Sequence, residues 1–348
     1  MKKNEWIDSE KAGIWWNQVS GPKAYLQEVV QNIKDGYCIA LEKEDVDTEF
    51  FPFLEQKVRS IDSSYLFDAF CADDYDSESD FLDDFIKRLA PEFDWGFASP
   101  YKELIETGCI AHHLIYFEID QKKDWAIQAM KMFSELSSQG NGVIVCLVSS
   151  LSMLEGIGRL KRVSLGSYLS IYNLQYFALQ CLGNFETRDS KGMYIAQIAA
   201  KLSEANGLLC AELAKPDLFS DPVKVCRNLP DDVVEKAVWE TQIQIFLPII
   251  EGIRRYLITN YFLKIQNLLP RTDEFGADIE KPGEMELRHL QFYGRKQHAR
   301  FFDSADDEWF KLAYNSRNEL THLHLLTVEA MNSLFDIEYA LREKERKR

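Results

Sequence analysis

The sequence predicts an α/β N-terminal domain with a mostly parallel sheet, followed by an all-α C-terminal helical bundle. Nearly continuous apolar runs such as HLIYFEID (113–120) and GVIVCLVSS (142–150) alternate with helical periodicity, which is typical of parallel strands buried on both faces. These strand signals stop at about residue 190, and the later periodicity is helical. Two prolines among polar residues place the linker at 215–222, so we predict domains at 1–214 and 223–348.

The first elements have clear start and stop signals. A helix begins at Gly21-Pro22, because proline suits the first helical position, and Gly36 ends it. The periodicity then predicts alternating strands and helices. The strands are predicted at 37–43, 63–70, 113–120, 142–150 and 162–169, and the helices at 50–61, 81–89, 124–142 and 170–182, with a short helix or loop at 153–160.

The C-terminal bundle is dominated by one long amphipathic pattern at 237–269. Apolar residues recur in it at steps of three and four, and Pro248 is expected to kink the helix without ending it. A loop follows at 270–284. Three further helices are predicted at 285–297, 306–323 and 327–345.

Composition excludes several classes of protein. The net charge of −16 disfavours a general nucleic-acid coat, although it leaves room for a small RNA site. The seven cysteines are dispersed without a CxxC pair, which indicates reduced thiols and no zinc site. No apolar run reaches the length of a membrane helix, and the N-terminus lacks a secretory signal. We therefore expect a cytoplasmic location and no membrane contact.

An acidic stretch, ADDYDSESDFLDD (72–84), has two interpretations. Its spacing loosely resembles a calcium loop but lacks the glycine at the sixth position. The favoured interpretation is a loop that enters an acidic helix N-terminus, where negative charge suits the helix dipole. We expect no metal.

The order of elements over about 1–210 resembles the STAND/AAA+ branch of P-loop ATPases. This resemblance implies a phosphate-binding loop after the first strand, with glycines, a lysine and a Ser/Thr. The chain has EKEDVDTEFF (42–51) there, with no glycine and several acids. Glu118 and Asp120 stand where the resemblance places a metal-supporting acid. We therefore predict no ATP hydrolysis, no cofactor, and a degenerate ATPase fold that serves protein interaction. An α/β domain of other ancestry is the alternative.

The segment NSRNELTHLHLL (315–326) offers candidate catalytic residues. Arg317 suits phosphate through its planar guanidinium, and His322 suits proton transfer because its usual pKa lies near neutrality. On a helix these two residues are about 140° apart, whereas Asn318 and His322 share a face. Such a set could cleave RNA by 2′-OH attack without a metal.

Residues 230–335 resemble HEPN domains on the long helix that ends in IEGIRRYLITNY and on RNELTHL. The resemblance implies the pattern Arg, Asn, three residues, His, which Arg317, Asn318 and His322 match. It also implies a homodimer with a composite cleft. Combined with the first domain, it implies a regulated ribonuclease of a bacterial conflict or anti-phage system.

The alternative is a non-catalytic scaffold or adaptor subunit of a defence complex. On that interpretation Arg317 pairs with Glu319, Glu329 or another acid, Asn318 and His322 bond within the bundle, and both domains bind proteins. Exposure discriminates the two hypotheses. Three side chains open to water favour cleavage, and a buried, paired trio favours structure.

The stretch RHLQFYGRKQHAR (288–300) is the best candidate RNA-phosphate surface in an acidic chain. Its alternative is a solvated helix and loop. The histidines at 112, 113, 289 and 298 are not expected to be metal ligands, and His324 is expected to be incidental. The four basic residues of the candidate surface are Arg288, Arg295, Lys296 and Arg300.

Overall fold

The computed structural model describes residues 9–93, 100–121, 123–137, 142–183, 190–273, 275–296 and 301–346. The chain divides into two compact units. The first runs to Phe177 and includes Ala205–Ala211, and the second consists of Ala178–Glu204 and the chain from Glu212 onward.

The first unit contains a five-stranded sheet in the order β5-β1-β4-β3-β2, and every neighbouring pair is parallel. The predicted mostly parallel α/β class is therefore confirmed. This class also agrees with the fold that the STAND/AAA+ resemblance implies. The strands are β1 Ile39–Glu42, β2 Leu66–Cys71, β3 His113–Ile119, β4 Val143–Val148 and β5 Lys161–Arg162.

Helices make up most of the other regular structure in the described residues of both units. The predicted helical C-terminal region is confirmed. They are α1 Ser9–Asn17, α2 Ser20–Lys34, α3 Phe50–Ile61, α4 Glu78–Leu89, α5 Pro100–Glu106, α6 Asp124–Leu136, α7 Ile171–Leu182, α8 Ser190–Leu202, α9 Gly207–Leu213, α10 Asp217–Ser220, α11 Pro222–Val225, α12 Asp231–Asn260, α13 Phe262–Gln266, α14 Leu287–His289, α15 Ser304–Thr321 and α16 Val328–Arg346.

Helices cover both faces of the sheet, which explains the continuous apolar strands. β4 is buried along its whole length. On one face, Phe81 of α4 packs against Phe117 of β3 with ring centroids 5.2 Å apart. Away from that cluster, Trp16 of α1 packs against Phe50 of α3 at 5.0 Å. Burying each such ring contributes about 2–3 kcal/mol to the free energy of unfolding.

The last strand is shorter than predicted. The pattern at 162–169 predicts a full strand, but β5 contains only Lys161 and Arg162. The chain then turns, because the backbone N–H of Leu165 donates to Asp45 Oδ2 at 2.7 Å and a 3₁₀ turn spans Leu165–Ser167. This side-chain acceptor lies 120 positions away in sequence, so strand periodicity could not reveal it.

The second unit is built around α12, which packs against α8, α15 and α16. Pro248 lies inside α12 without ending it, as predicted. Gln242 is buried in α12, and its Oε1 accepts a hydrogen bond from the backbone N–H of Leu326 at 2.7 Å. Its Nε2 lies 3.4 Å from the hydroxyl oxygen of Tyr194 in α8. One amide side chain therefore links α12 to α8 and to the segment before α16.

The compact units differ from the predicted domains 1–214 and 223–348. Helix α8 belongs to the second unit, because its buried face packs on α12. The predicted linker 215–222 holds α10, whose Leu218 and Phe219 are buried. In addition, the predicted loop 270–284 contains a short antiparallel hairpin of β6 Arg271–Thr272 and β7 Asp278–Ile279.

Candidate functional site

Helix α15 carries the first two residues of the candidate catalytic trio and ends just before the third. Its buried residues include Phe310, Ala313 and Leu320. The helix ends at Thr321, and the N–H of His322 closes the last turn on the carbonyl of residue 318 at 3.0 Å. The predicted end at 323 is therefore slightly too late, because the next residue has φ of +64° and leaves the helix.

Arg317 lines a cleft of about 380 Å³ on the second unit. The cleft wall includes Ile250, Glu251 and Arg254 of α12 together with Leu287. Arg317 is half-buried, and it has no hydrogen bond or ion pair within the part of the chain that the structure describes. The predicted partner Glu319 instead binds His324, whose Nδ1 lies 2.9 Å from Glu319 Oε2.

The acids of this cleft already have donors. Arg254 Nη2 donates to Glu251 Oε1 at 2.7 Å, and Arg255 Nε donates to the same oxygen at 2.9 Å. The hydrogen bond from Arg254 is the main cause of the lowered pKa of Glu251. Glu284 accepts the backbone N–H groups of residues 280 and 281. These carboxylates therefore bind other donors and do not pair with Arg317, although Arg317 lines the same cleft.

Asn318 and His322 lie away from that cleft, since neither lines it. Asn318 is half-buried and His322 is exposed, and neither side chain has a polar partner among the described residues. The trio is thus unpaired, but it does not converge within one chain. The rotation of about 100° per helical residue places Asn318 on a different side of α15 from Arg317.

The candidate RNA-phosphate surface is largely neutralised within the chain. Arg288 Nη2 lies 3.2 Å from Asp273 Oδ2, and Arg295 Nε lies 2.8 Å from Asp307 Oδ1. Lys296 lies over the Phe292 ring, 5.8 Å from its centroid. Arg300 and the neighbouring His298 lie outside the described residues. Two of the predicted phosphate ligands are therefore held by acids.

The carboxyl ends of the central strands form a second polar site that sequence reasoning missed. Lys43, directly after β1, makes ion pairs with Glu118 at the end of β3 and with Asp120, the latter at 2.6 Å. Burial alone would lower the pKa of Lys43, but the hydrogen bonds from its ammonium group to Asp120 and Glu118 outweigh this and raise it. Glu118 and Asp120, which stand where the STAND/AAA+ resemblance places a metal-supporting acid, bind this lysine.

Neighbouring acids at this edge bind backbone groups. Glu42 Oε1 accepts the N–H of Leu151 at 3.2 Å, and Asp45 accepts the N–H of Leu165. Burial raises the pKa of Asp45, and the bond from Leu165 partly offsets that effect. The segment that follows β1 is therefore held by its own acids. A lysine directly after one predicted strand, and two acids at the end of another, are both visible in the sequence, but the sequence does not show that they meet.

The other polar candidates have local roles. The acidic stretch contains a 3₁₀ turn and then α4, and Ser77 Oγ accepts the N–H of Asp80 at 3.2 Å as a helix cap. His113 pairs with Asp68 at 3.1 Å. Within the described ranges, no group of three or more His, Cys, Asp or Glu side chains could hold a metal ion. All seven cysteines are free thiols.

No family model and no curated protein sequence matches the chain. Solved structures resemble it distantly, and three of them are as follows. RIF2 from Saccharomyces cerevisiae is 11% identical, with a TM-score of 0.33, over 68% of this chain and 95% of that one. ORC2 from Aeropyrum pernix, solved as ADPNP and ADP complexes, is 11% identical, with a TM-score of 0.30, over 97% and 96%. CDC6P from Pyrobaculum aerophilum is 10% identical, with a TM-score of 0.34, over 97% and 99%.

Likeness at these TM-scores carries no argument about function. The fold class therefore rests on the parallel sheet and the helices themselves. Among the described helices, none is both long and apolar enough to cross a membrane.

Proposed function

We propose that the chain is a metal-independent endoribonuclease that uses Arg317, Asn318 and His322. The observation that carries this proposal is that all three side chains lack polar partners among the described residues, and that His322 is exposed. A purely structural trio would bond within the bundle, since polar groups taken out of water are costly without partners.

The chemistry assigns one role to each residue. The 2′-oxygen attacks phosphorus, the bond from phosphorus to the 5′-oxygen breaks, and the products are a 2′,3′-cyclic phosphate and a 5′-hydroxyl. His322 transfers protons, because its usual pKa lies near neutrality. Arg317 stabilises the charge that builds on the phosphate oxygens. Asn318 positions the reacting groups.

A second copy of the chain completes the proposed site. Arg317 and the exposed His322 flank α15 and do not share one face, so one chain alone does not bring them onto a single phosphate. The HEPN resemblance implies paired helices from two subunits. We therefore propose a homodimer through the second unit, with RNA bound in the composite cleft.

The first unit has the proposed role of regulator or protein-interaction platform. Its sheet edge is occupied by the Lys43 ion pairs, which supports a role without ATP hydrolysis. The combined resemblance to STAND/AAA+ and HEPN domains supports a place in a cytoplasmic bacterial defence or toxin-type system.

The second candidate is a non-catalytic scaffold or adaptor subunit of a defence complex. Two observations favour it. The trio does not converge in one chain, and Lys43 neutralises the acids at the edge where the resemblance implies nucleotide chemistry. On this candidate both units bind proteins and neither catalyses a reaction.

Cleavage of RNA by the purified full chain in the presence of EDTA tests the two candidates. The variant carries Arg317→Ala and His322→Ala together. His324→Ala is a matched control, because it removes an exposed imidazole close to the trio that already has a partner. Cleavage by the wild type and the control, but not by the double variant, supports the ribonuclease. Equal cleavage by all three, or none by any, contradicts it.

A further inference from the structure

An exposed group of aromatic and basic residues lies on the second unit. We call it the aromatic patch, and it consists of Arg271, Phe275, Phe292, Tyr293 and Lys296. The ring of Phe275 is 76% exposed and that of Phe292 is 54% exposed. Single exposed apolar side chains are ordinary on a protein surface, whereas adjoining exposed apolar side chains mark interaction sites.

Cations lie over these rings. The Arg288 guanidinium is 4.8 Å from the Phe275 centroid, and the Lys296 ammonium is 5.8 Å from that of Phe292. Arg271 lies 5.8 Å from the Tyr293 centroid. Phe292 and Tyr293 themselves meet edge to face at 5.1 Å. The rings of Phe292 and Tyr293 are thus in contact, and each ring of the patch has a positive charge beside it.

Hydrogen bonds and an ion pair hold the backbone of Phe275 and the side chains of Arg288 and Tyr293 in place. The carboxylate of Asp273 accepts the backbone N–H of Phe275 at 2.9 Å and binds Arg288 at 3.2 Å. The hydroxyl of Tyr293 donates to the carbonyl of Thr272 at 2.9 Å, which fixes the hairpin to the adjoining helical segment. The rings are therefore presented in a fixed arrangement, which lowers the entropy cost of binding.

We propose that the aromatic patch binds single-stranded RNA by stacking bases on Phe275 and Phe292. Aromatic rings with neighbouring cations are the surface that single-stranded polynucleotides require, because bases stack and phosphates need positive charge. Arg271 and Lys296 have no carboxylate partner within the described residues, so both are available to phosphate. This choice of RNA rests on the proposed function, although the binding itself needs no cleavage.

The patch also revises which basic residues meet RNA. Arg288 and Arg295 are held by acids, whereas Arg271 is outside the stretch 288–300 that sequence reasoning selected. Arg288 supports Phe275 and is a positioning residue. The whole chain carries a net charge of −16 and would repel RNA, so only the cations of the patch attract phosphate. Binding should therefore be strongest at low salt.

Fluorescence anisotropy with a labelled oligouridine of about twelve nucleotides tests the inference. The measurements use the full chain with His322→Ala, at low salt and with EDTA, so that cleavage does not interfere. Phe275→Ala and Phe292→Ala are each expected to weaken binding about tenfold, and the double variant by more. Tyr339→Ala is the matched control, because that ring is 69% exposed on α16 and lies outside the patch.

The outcomes of this experiment either support or overturn the binding of single-stranded RNA by the aromatic patch. Unchanged affinity in the phenylalanine variants, equal affinity for duplex RNA, or no measurable binding overturns the inference. If the phenylalanine variants lose as much affinity for oligothymidine as for oligouridine, the patch is still a binding site. It then binds single strands of RNA and DNA alike. If the wild type binds RNA through the patch but does not cleave it, the proposed ribonuclease fails while the inference stands.

Discussion

Replacement of Lys43 by methionine removes the positive charge that joins the ends of β1 and β3. The lysine side chain is 23% exposed, and its partners Glu118 and Asp120 are 34% and 42% exposed. Solvent therefore screens both pairs, and we expect a loss of about 1 kcal/mol in the free energy of unfolding. For a unit of this size, that corresponds to a decrease in Tm of about 2–4 °C.

The pH dependence of this effect has a definite sign. The pKa of Lys43 is raised above its usual 10.5 in the folded chain. Its contribution is therefore complete below pH 10.5 and is lost as pH rises through the higher folded value. Thermal unfolding of wild type and Lys43→Met should differ at neutral pH and converge at strongly alkaline pH.

Two further variants isolate the ion pairs. Lys87→Met removes an exposed lysine of α4 that has no ion pair within the described chain, and should leave Tm almost unchanged. Adding Glu118→Gln and Asp120→Asn to Lys43→Met should recover part of the loss, because the two carboxylates no longer repel each other. An equal decrease for Lys43→Met and Lys87→Met, or no recovery, would refute this account of the sheet edge.

Three other predictions concern stability. A Cβ at Gly207 would lie 2.7 Å from a tryptophan ring, so Gly207→Ala should lower the free energy of unfolding by about 1–3 kcal/mol, measured by thermal unfolding. Gly158→Ala is the control, because a Cβ there would meet open space and should leave stability unchanged. Gln242→Leu leaves a buried backbone N–H without its acceptor and should cost about 1–3 kcal/mol by urea unfolding. Backbone N–H donation holds the pKa of Asp273 below 3.8. The stabilisation that this carboxylate contributes is therefore present above pH 3.8 and is lost as pH falls through the lower pKa of the folded chain. An NMR titration of the Asp273 carboxyl measures that pKa. A pKa at or above 3.8 would contradict the prediction.

Much of the fold could be predicted because its strongest signals are local. β3 and β4 are continuous apolar runs, and α3 occupies the predicted span Phe50–Ile61. Start and stop residues at α2 also act within a few positions. β5 was overestimated because its neighbour in the sheet, and the carboxylate that turns the chain after it, are both distant in sequence.

The site was harder to predict from the sequence, because its contacts also join residues that are distant in sequence. Arg317, Asn318 and His322 could be found because their spacing is local, but whether they converge depends on packing, which that spacing does not encode. The pairing of Lys43 with Glu118 spans 75 positions, and no local pattern encodes it. The end of α15 was also hidden, since Leu323 adopts positive φ without being glycine.

Helix α12 has a mechanical consequence for the second unit. Its 30 residues form a rod of about 45 Å, and α8, α15 and α16 all rest on it. Pro248 removes one backbone hydrogen bond near the middle, so bending of this rod costs least there. Pro248 lines a groove of about 370 Å³ between α12 and α16, and the neighbouring Ile250 lines the Arg317 cleft. Bending of α12 at Pro248 is therefore expected to change the shape of the cleft that Arg317 lines.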